Sequence, residues 1–357
     1  MDGSLADETA AEPRPTLTYP FADQPALAPG EAFEVAPGVF RLRLPLPFVL
    51  NHINVWALRD GDGWTVVDTG MNAPLCVSAW EAALAGPLAG RPVGRVVVTH
   101  MHPDHVGLAG WFTSKFDCPL YMTRLEYLTC RVLAADTGRP APEEGVAFYR
   151  AAGWSEAQLE TYRARFGGFG RAMHALPDAF LRLEDGDSLS IDGATWRIVV
   201  GQGHSPEHAC LYREADGVLI SGDQVLPKIS SIVAVWPTEP QADPLGDWLD
   251  SLAKLEREIP DNALVLPSHG EPFYGLHERL RALTRGHERS LERLRRTLAE
   301  PKRAVEVFGA LFARPIGDDL IGMATGEALA HLNYLKRRGL AETETAADGT
   351  TLWRAKA

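Results

Sequence analysis

The sequence predicts an α/β fold in which two mixed sheets lie sandwiched between helices. Two observations carry this. Runs of β-branched and apolar residues alternate with stretches of helical apolar spacing, and the order strand, strand, helix, strand occurs twice. One run, Arg95-Val96-Val97-Val98-Thr99, reads as a buried strand and leads into Thr99-His100-Met101-His102-Pro103-Asp104-His105-Val106-Gly107. Strand-end loops of this kind are where α/β proteins place their chemistry.

Residues 1–34 are rich in Ala, Pro, Glu and Asp without periodicity and read as a flexible tail or a strap along the surface. Residues 33–46 alternate around Pro37-Gly38 as two short strands, and residues 45–52 form an apolar loop. Residues 53–58 and 64–68 make a hairpin around Asp60-Gly61-Asp62-Gly63. Amphipathic helices are expected over 73–84 and 106–116. An insertion over 123–178 follows, with helices expected at 124–137, 141–153 and 155–175 and with Ser155 and Gln158 at capping-box spacing. Its aromatics, among them Tyr127, Tyr149, Trp154 and Tyr162, either cap a substrate pocket or form the core of an excursion on the sheet flank or a dimer contact.

Residues 180–200 read as strands, 209–212 and 218–221 as a hairpin, 244–259 as a helix and 263–266 as the last core strand. A long charged helix over 276–300 stops at Pro301. Helices at 304–312 and 324–338 and a hairpin turning at Asp348-Gly349 complete a small winged-helix-like domain over 276–357.

Neutral imidazole nitrogens and carboxylate oxygens suit zinc and similar first-row ions. Alternate spacing lets His100 and His102 converge on one ion, leaving Asp104 and His105 to face a second.

His-x-His-x-Asp-His after a buried strand resembles the metallo-β-lactamase-fold hydrolases. Five further segments agree in order: Asn51-His52-Ile53-Asn54-Val55, Val66-Val67-Asp68-Thr69-Gly70, Gly203-His204-Ser205-Pro206, Ser221-Gly222-Asp223 and Pro267-Ser268-His269-Gly270. The resemblance spans about residues 35 to 275, the expected catalytic domain, and implies an αββα sandwich with a helical cap insertion and a C-terminal winged-helix-like domain. It implies that His100, His102 and His204 hold one ion, that Asp104, His105 and His269 hold another, and that Asp223 bridges them. Two Zn2+ are expected, with Fe or Mn as alternatives. A water between two such cations loses a proton near neutral pH and attacks a carbonyl or phosphoryl centre. Asp104 is the candidate catalytic residue, orienting that water or shuttling its proton.

Four more side chains are candidates around the metals. Asp68 either orients a ligand or makes an Asx turn with Thr69-Gly70. His208 follows His204 as in the β-lactamase-like-protein-2 group, and could hydrogen-bond a leaving group or a ligand, or be structural. Lys228 could bind a substrate carboxylate or phosphate, or be a surface lysine. His52 sits in a loop that leans over the metals in relatives, and either touches substrate or packs as a hairpin turn.

The implied function is a metal-dependent hydrolase of a small-molecule thioester or ester, favoured by an apolar, aromatic cap. The alternatives are an endoribonuclease or phosphodiesterase that uses the winged helix, and a mononuclear iron enzyme similar to sulfur dioxygenases. In the first, Lys336-Arg337-Arg338 would touch nucleic acid rather than oppose a helix dipole. Charge speaks against it. The chain carries −12 overall; from Gly275 on, 15 Lys and Arg face 11 Asp and Glu, a net of +4, which leaves −16 on the rest. Phosphate-backbone affinity needs the opposite sign. Leu226 stands where lactonases carry a tyrosine, which turns the reading from lactones. The expected partner is a small-molecule substrate, with a homodimer as the assembly to test. No apolar run approaches the roughly 20 residues of a membrane helix. No secretory signal is visible, and Cys76, Cys118, Cys130 and Cys210 are scattered, so reduced thiols and a cytoplasmic location are expected.

Overall fold

The computed structural model describes residues 16–47 and 50–356. The part of the N-terminal tail before residue 16, and Phe48 and Val49 of the apolar loop, lie outside the described residues. The first sheet takes its seven strands in chain order: β1 (Ala32–Ala36), β2 (Val39–Pro45), β3 (His52–Asp60), β4 (Gly63–Val67), β5 (Val93–Val97), β6 (Leu120–Thr123) and β7 (Leu181–Leu183). β1 to β4 pair antiparallel, and β4 to β7 pair parallel. Parallel neighbours need long crossovers. These carry α1 (Pro74–Ala85), then α2 (Pro103–Val106) and α3 (Ala109–Phe116), then α4 (Arg124–Ala135), α5 (Glu143–Ala152) and α6 (Glu156–Arg165). The second sheet has the order β12-β11-β10-β9-β8, built from β8 (Ser188–Ile191), β9 (Ala194–Gly201), β10 (His208–Arg213), β11 (Val218–Gly222) and β12 (Leu264–Pro267). Helix α7 (Pro244–Glu258) makes its one parallel crossover, between β11 and β12.

Between the sheets lie the buried side chains Trp56, Val67, Val97, Ile198, Leu211, Ile220 and Leu266. The outer face of the first sheet is covered by the α1 and α3 residues Trp80 and Phe112, whose rings meet edge-on at 4.7 Å. The outer face of the second is covered by α7, α8 (Leu276–Thr297) and α10 (Ile321–Arg337), in one cluster that includes Trp248, Leu280, Leu332 and Trp353. The layers therefore run helix, sheet, sheet, helix. The C-terminal elements, which also include α9 (Phe308–Leu311) and the hairpin of β13 (Ala341–Thr345) and β14 (Thr351–Ala355), pack into this cluster. No helix among the described residues is long and apolar enough to cross a membrane. All four cysteines are buried and free.

Two expectations need correction. The helix over 155–175 stops at Arg165, because Gly167 turns into positive φ (+69°) against the Asp136 carbonyl; only a short 3-10 turn, Phe169–Ala172, follows. The helix over 106–116 is two, α2 and α3, because the chain at Gly107 passes against the backbone of Pro103 and Gly70. Of the two readings of the N-terminal stretch, the described part from Thr16 on takes the strap: Thr18 bridges to Tyr274, Phe21 meets Phe33 edge-on at 5.3 Å, and β1 begins at Ala32. The Ser155 capping box is present as expected. Of the insertion's aromatics, Tyr127 and Tyr149 are buried, and Trp154 donates to Thr325 Oγ1 on α10 (2.9 Å).

Candidate metal centre

Each candidate ligand stands just beyond the C-terminal end of a strand. β5 runs into His100, His102, Asp104 and His105, β9 into His204, β11 into Asp223 and β12 into His269. The turns demand small residues. A Cβ on Gly203 (φ +102°) would lie 2.5 Å from the Trp248 Cβ, and one on Gly222 (φ +52°) 2.5 Å from the His208 ring. Pro103 opens α2, where its missing N–H costs nothing, and places Asp104 in the first turn.

Three sets of donor atoms each lie within 4.8 Å of one another: His100, His102 and His204; His100, His105 and Asp223; and Asp104, His105 and His269. His100 Nε2 and His102 Nδ1 are 2.8 Å apart. Asp223 turns Oδ1 toward His105 Nε2 (3.4 Å) and His269 Nε2 (3.6 Å), and Oδ2 toward His204 Nε2 (3.6 Å). Asp104 Oδ2 lies 3.4 Å from His269 Nε2 and 3.7 Å from His105 Nε2.

The far ring nitrogens are held from behind. His204 Nδ1 donates to Ile232 O (2.7 Å), His269 Nδ1 to His52 O (3.1 Å) and His105 Nδ1 to Asp68 Oδ2 (2.8 Å). Each bond fixes the tautomer that leaves the Nε2 lone pair facing the centre. His105 Nε2, His204 Nε2 and Asp223 Oδ1 are buried without a hydrogen-bond partner. Buried polar atoms are rarely orphaned, and a nitrogen and oxygen set of this kind fits a divalent cation.

Electrostatics agree. Burial, then crowding by neighbouring imidazoles, pushes His100 well below the usual histidine range; burial and His204 push His102 down to about 3. Burial also opposes charge on His105 and His269, but Asp104 and Asp223 outweigh it, raising His105 well above its usual range and His269 to about 9. Asp104 and Asp223 are driven below the carboxylate range, since burial, which would raise them, loses to His105 and His269. With no cation present the carboxylates favour a proton on His105 and His269, and a cation would displace it and restore the Nε2 lone pairs.

Asp68 adopts the left-handed conformation (φ +58°) and is fully buried. Its Oδ1 accepts from Thr99 N (2.8 Å), and its Oδ2 from Thr99 Oγ1 (2.8 Å) and His105. His208 faces a ligand's backbone: its ring stacks on His100 (4.7 Å, 28°), and its Nε2 accepts from Asp223 N (3.0 Å). His52 lends its carbonyl to His269, while its ring bonds Asn51 Oδ1 (2.6 Å) and is held down to about 4 by burial and then by Arg43. Lys228 is exposed, its Nζ 6.0 Å from the Tyr19 ring of the strap. Two side chains that no family motif marks, Thr123 and Glu126, also reach the ligand loops. Their Thr-x-x-Glu spacing at a helix start is the one trace they leave in the sequence.

The family model described as Metallo-beta-lactamase superfamily matches residues 49–269, and that described as Metallo-beta-lactamase-like, C-terminal domain, matches residues 291–356. The chain is 26% identical over 314 residues to "Probable metallo-hydrolase YqjP" of Bacillus subtilis (strain 168), covering 84% of this chain and 92% of that protein. It is 23% identical over 265 residues to "Atrochrysone carboxyl ACP thioesterase" of Aspergillus fumigatus, covering 74% of this chain and 48% of that one. A solved beta-lactamase domain protein from Burkholderia ambifaria superimposes with a TM-score of 0.86 at 41% identity, over 95% of this chain and 98% of the other. With a site built for a divalent cation already in view, these matches establish that the chain belongs to the metallo-beta-lactamase superfamily and is a metal-dependent hydrolase.

Proposed function

We infer that the protein hydrolyses small-molecule thioesters or esters with two divalent cations, zinc first. The observation that carries the two-ion reading is the Asp223 carboxylate, which turns one oxygen to His105 and His269 and the other to His204. His100, His102 and His204 would hold one cation, and Asp104, His105 and His269 the other. Such a pair supplies a water acidified toward neutral pH and a Lewis acid for the substrate oxygen. The chain does the rest. Asp68 and the Ile232 and His52 carbonyls hold the imidazoles in register. Asp104, ionised and with its side chain 23% exposed, would orient a water at the cations.

Two features support a thioester or ester. One relative's printed name is a thioesterase. Helix α4, hydrogen-bonded to the ligand loops, turns Leu125, Leu128 and Val132 to solvent, an apolar surface suited to an acyl chain. A nuclease reading is disfavoured because the C-terminal cations are engaged internally. Lys336 donates to Thr343 Oγ1, Arg337 to Gln241 O, and Arg338 to Asp243 Oδ2 while lying over the Tyr334 ring. The test is elemental analysis of the purified protein, then turnover of acyl thioesters, esters, lactones, phosphodiesters and single-stranded RNA. Two equivalents of metal and preferential acyl cleavage are expected; salt-dependent RNA cleavage overturns the substrate reading.

A further inference from the structure

Helix α4 grips one residue between histidines on each of two ligand loops. Met101 stands between His100 and His102. Its N–H donates to Glu126 Oε2 (2.8 Å), and its carbonyl accepts from Cys130 Sγ (3.6 Å), one turn further along the helix. Glu207 stands between His204 and His208. Its N–H donates to Glu126 Oε1 (2.7 Å), its carbonyl accepts from Thr123 Oγ1 (2.7 Å), and its carboxylate accepts from Leu125 N (2.8 Å). Glu126 is fully buried and spends one oxygen on each loop.

Thr123 and Glu126 have the spacing of a capping box, yet neither caps its own helix, whose first turn is instead met by the Glu207 carboxylate at Leu125 N. A cap stabilises a helix by about 1 kcal/mol; here both side chains serve distant loops instead. A buried carboxylate is costly unless hydrogen-bonded, and the backbone N–H groups of Met101 and Glu207 answer that need.

We propose that Glu126 is a positioning residue that fixes the distance between the His100–His102 loop and the His204 loop, and so sets the affinity of the cation held by His100, His102 and His204. The proposal rests on the two-cation reading above. It singles out that cation, because His105 is oriented from the opposite side by Asp68. The insertion, on this view, contributes a brace to the metal centre.

The experiment uses the full-length metal-free protein, titrated with Co2+ and followed by calorimetry and visible absorption. The variants are Glu126→Gln, Thr123→Val and Thr123→Ser, with His204→Ala to identify the step. Gln has one acceptor oxygen and turns an amide N–H2 toward the second backbone N–H. Loss of a group that holds ligands from behind typically lowers metal affinity about 10–100-fold. That loss is expected in Glu126→Gln for the step that His204→Ala removes, with the other step within about threefold. Thr123→Val should weaken the same step less, and Thr123→Ser should restore it, a comparison that decides the matter if Glu126→Gln does not fold. Amide exchange at Met101 and Glu207 should quicken in metal-free Glu126→Gln or, should that variant not fold, exchange at Glu207 in Thr123→Val. Faster exchange with both Co2+ steps unchanged, or both steps weakened equally, overturns the brace alone. A wild-type protein that binds no Co2+ overturns the two-cation reading and the proposal with it.

Discussion

Asp68→Asn isolates what a single carboxylate oxygen does for the centre. The backbone should not object, since Asn accepts the left-handed conformation that Asp68 holds at φ +58°. Asn keeps one acceptor for the Thr99 N–H and presents an amide N–H2 where Asp68 Oδ2 now accepts from His105 Nδ1. An amide donor there demands a bare Nδ1, so the imidazole proton moves to Nε2. That is the atom facing Asp104 and Asp223, and once protonated it has no lone pair for a metal. Losses of this kind run about 10–100-fold in metal affinity, or about 1.4–2.7 kcal/mol. The assay is calorimetric titration of the metal-free variant with Zn2+. One step should weaken by that factor, and the step removed by His204→Ala should stay. A Zn2+ isotherm superimposable on that of the wild type would refute the tautomer argument. A urea midpoint measured alongside separates this from unfolding, because an unpaired buried donor costs about 1–3 kcal/mol.

Asp223→Ala should lose bound metal and turnover together, read by elemental analysis beside a rate assay; a variant with full metal and full turnover contradicts the ligand assignment. Glu327, on α10, is raised by burial from its ordinary 4.5 to about 8. The folded state then keeps a proton that the unfolded chain gives up, so the contribution is complete below pH 4.5 and declines up to about pH 8, by at most about 5 kcal/mol. Glu327→Gln should therefore raise Tm at pH 9 and leave it nearly unchanged at pH 4; equal shifts at both would refute the burial argument. His287 and His331 face each other at 3.3 Å and are lowered by burial to about 3 and about 4. Their stabilising contribution holds above pH 6.5 and is lost as pH falls through 4, so a double Gln variant should show a shallower loss of Tm between pH 6.5 and pH 4. Gly110→Ala would drive a Cβ into the Ala175 carbonyl and should destabilise the fold by about 1–3 kcal/mol in urea; an unchanged midpoint would show that the returning chain can move aside.

Four of the strand-end ligands were legible because His100, His102, Asp104 and His105 fall within six residues; His204, Asp223 and His269 were legible through the resemblance of their segments to the family's, each beside a glycine that enters positive φ. The layered fold was legible for a related reason, since alternation and helical spacing are written in short windows. What was hidden depends on contacts far apart in sequence. Glu126 meets Glu207 from 81 positions away, and only three-dimensional packing distinguishes it from a routine helix cap. Lys228 follows Asp223 closely in sequence, which left open a substrate contact or a surface lysine; it is exposed beside Tyr19 of the strap. The break at Gly167 was masked by apolar residues that keep helical spacing on either side of a glycine pair.

The centre draws on both sheets: four candidate ligands follow β5 of the first, and three follow strands of the second. Backbone bonds cross the same seam, from Ala209 N to Thr99 O (2.8 Å) and from Asn54 N to Ser268 O (2.7 Å). A cation seated there would act as a rivet through two plates. Any sliding of one sheet past the other would have to tear its coordination, so occupancy and rigidity rise together. Binding at a thousandfold excess over Kd adds about 4 kcal/mol to folding. Starving the chain of metal would then loosen the halves of the sandwich as well as silence it.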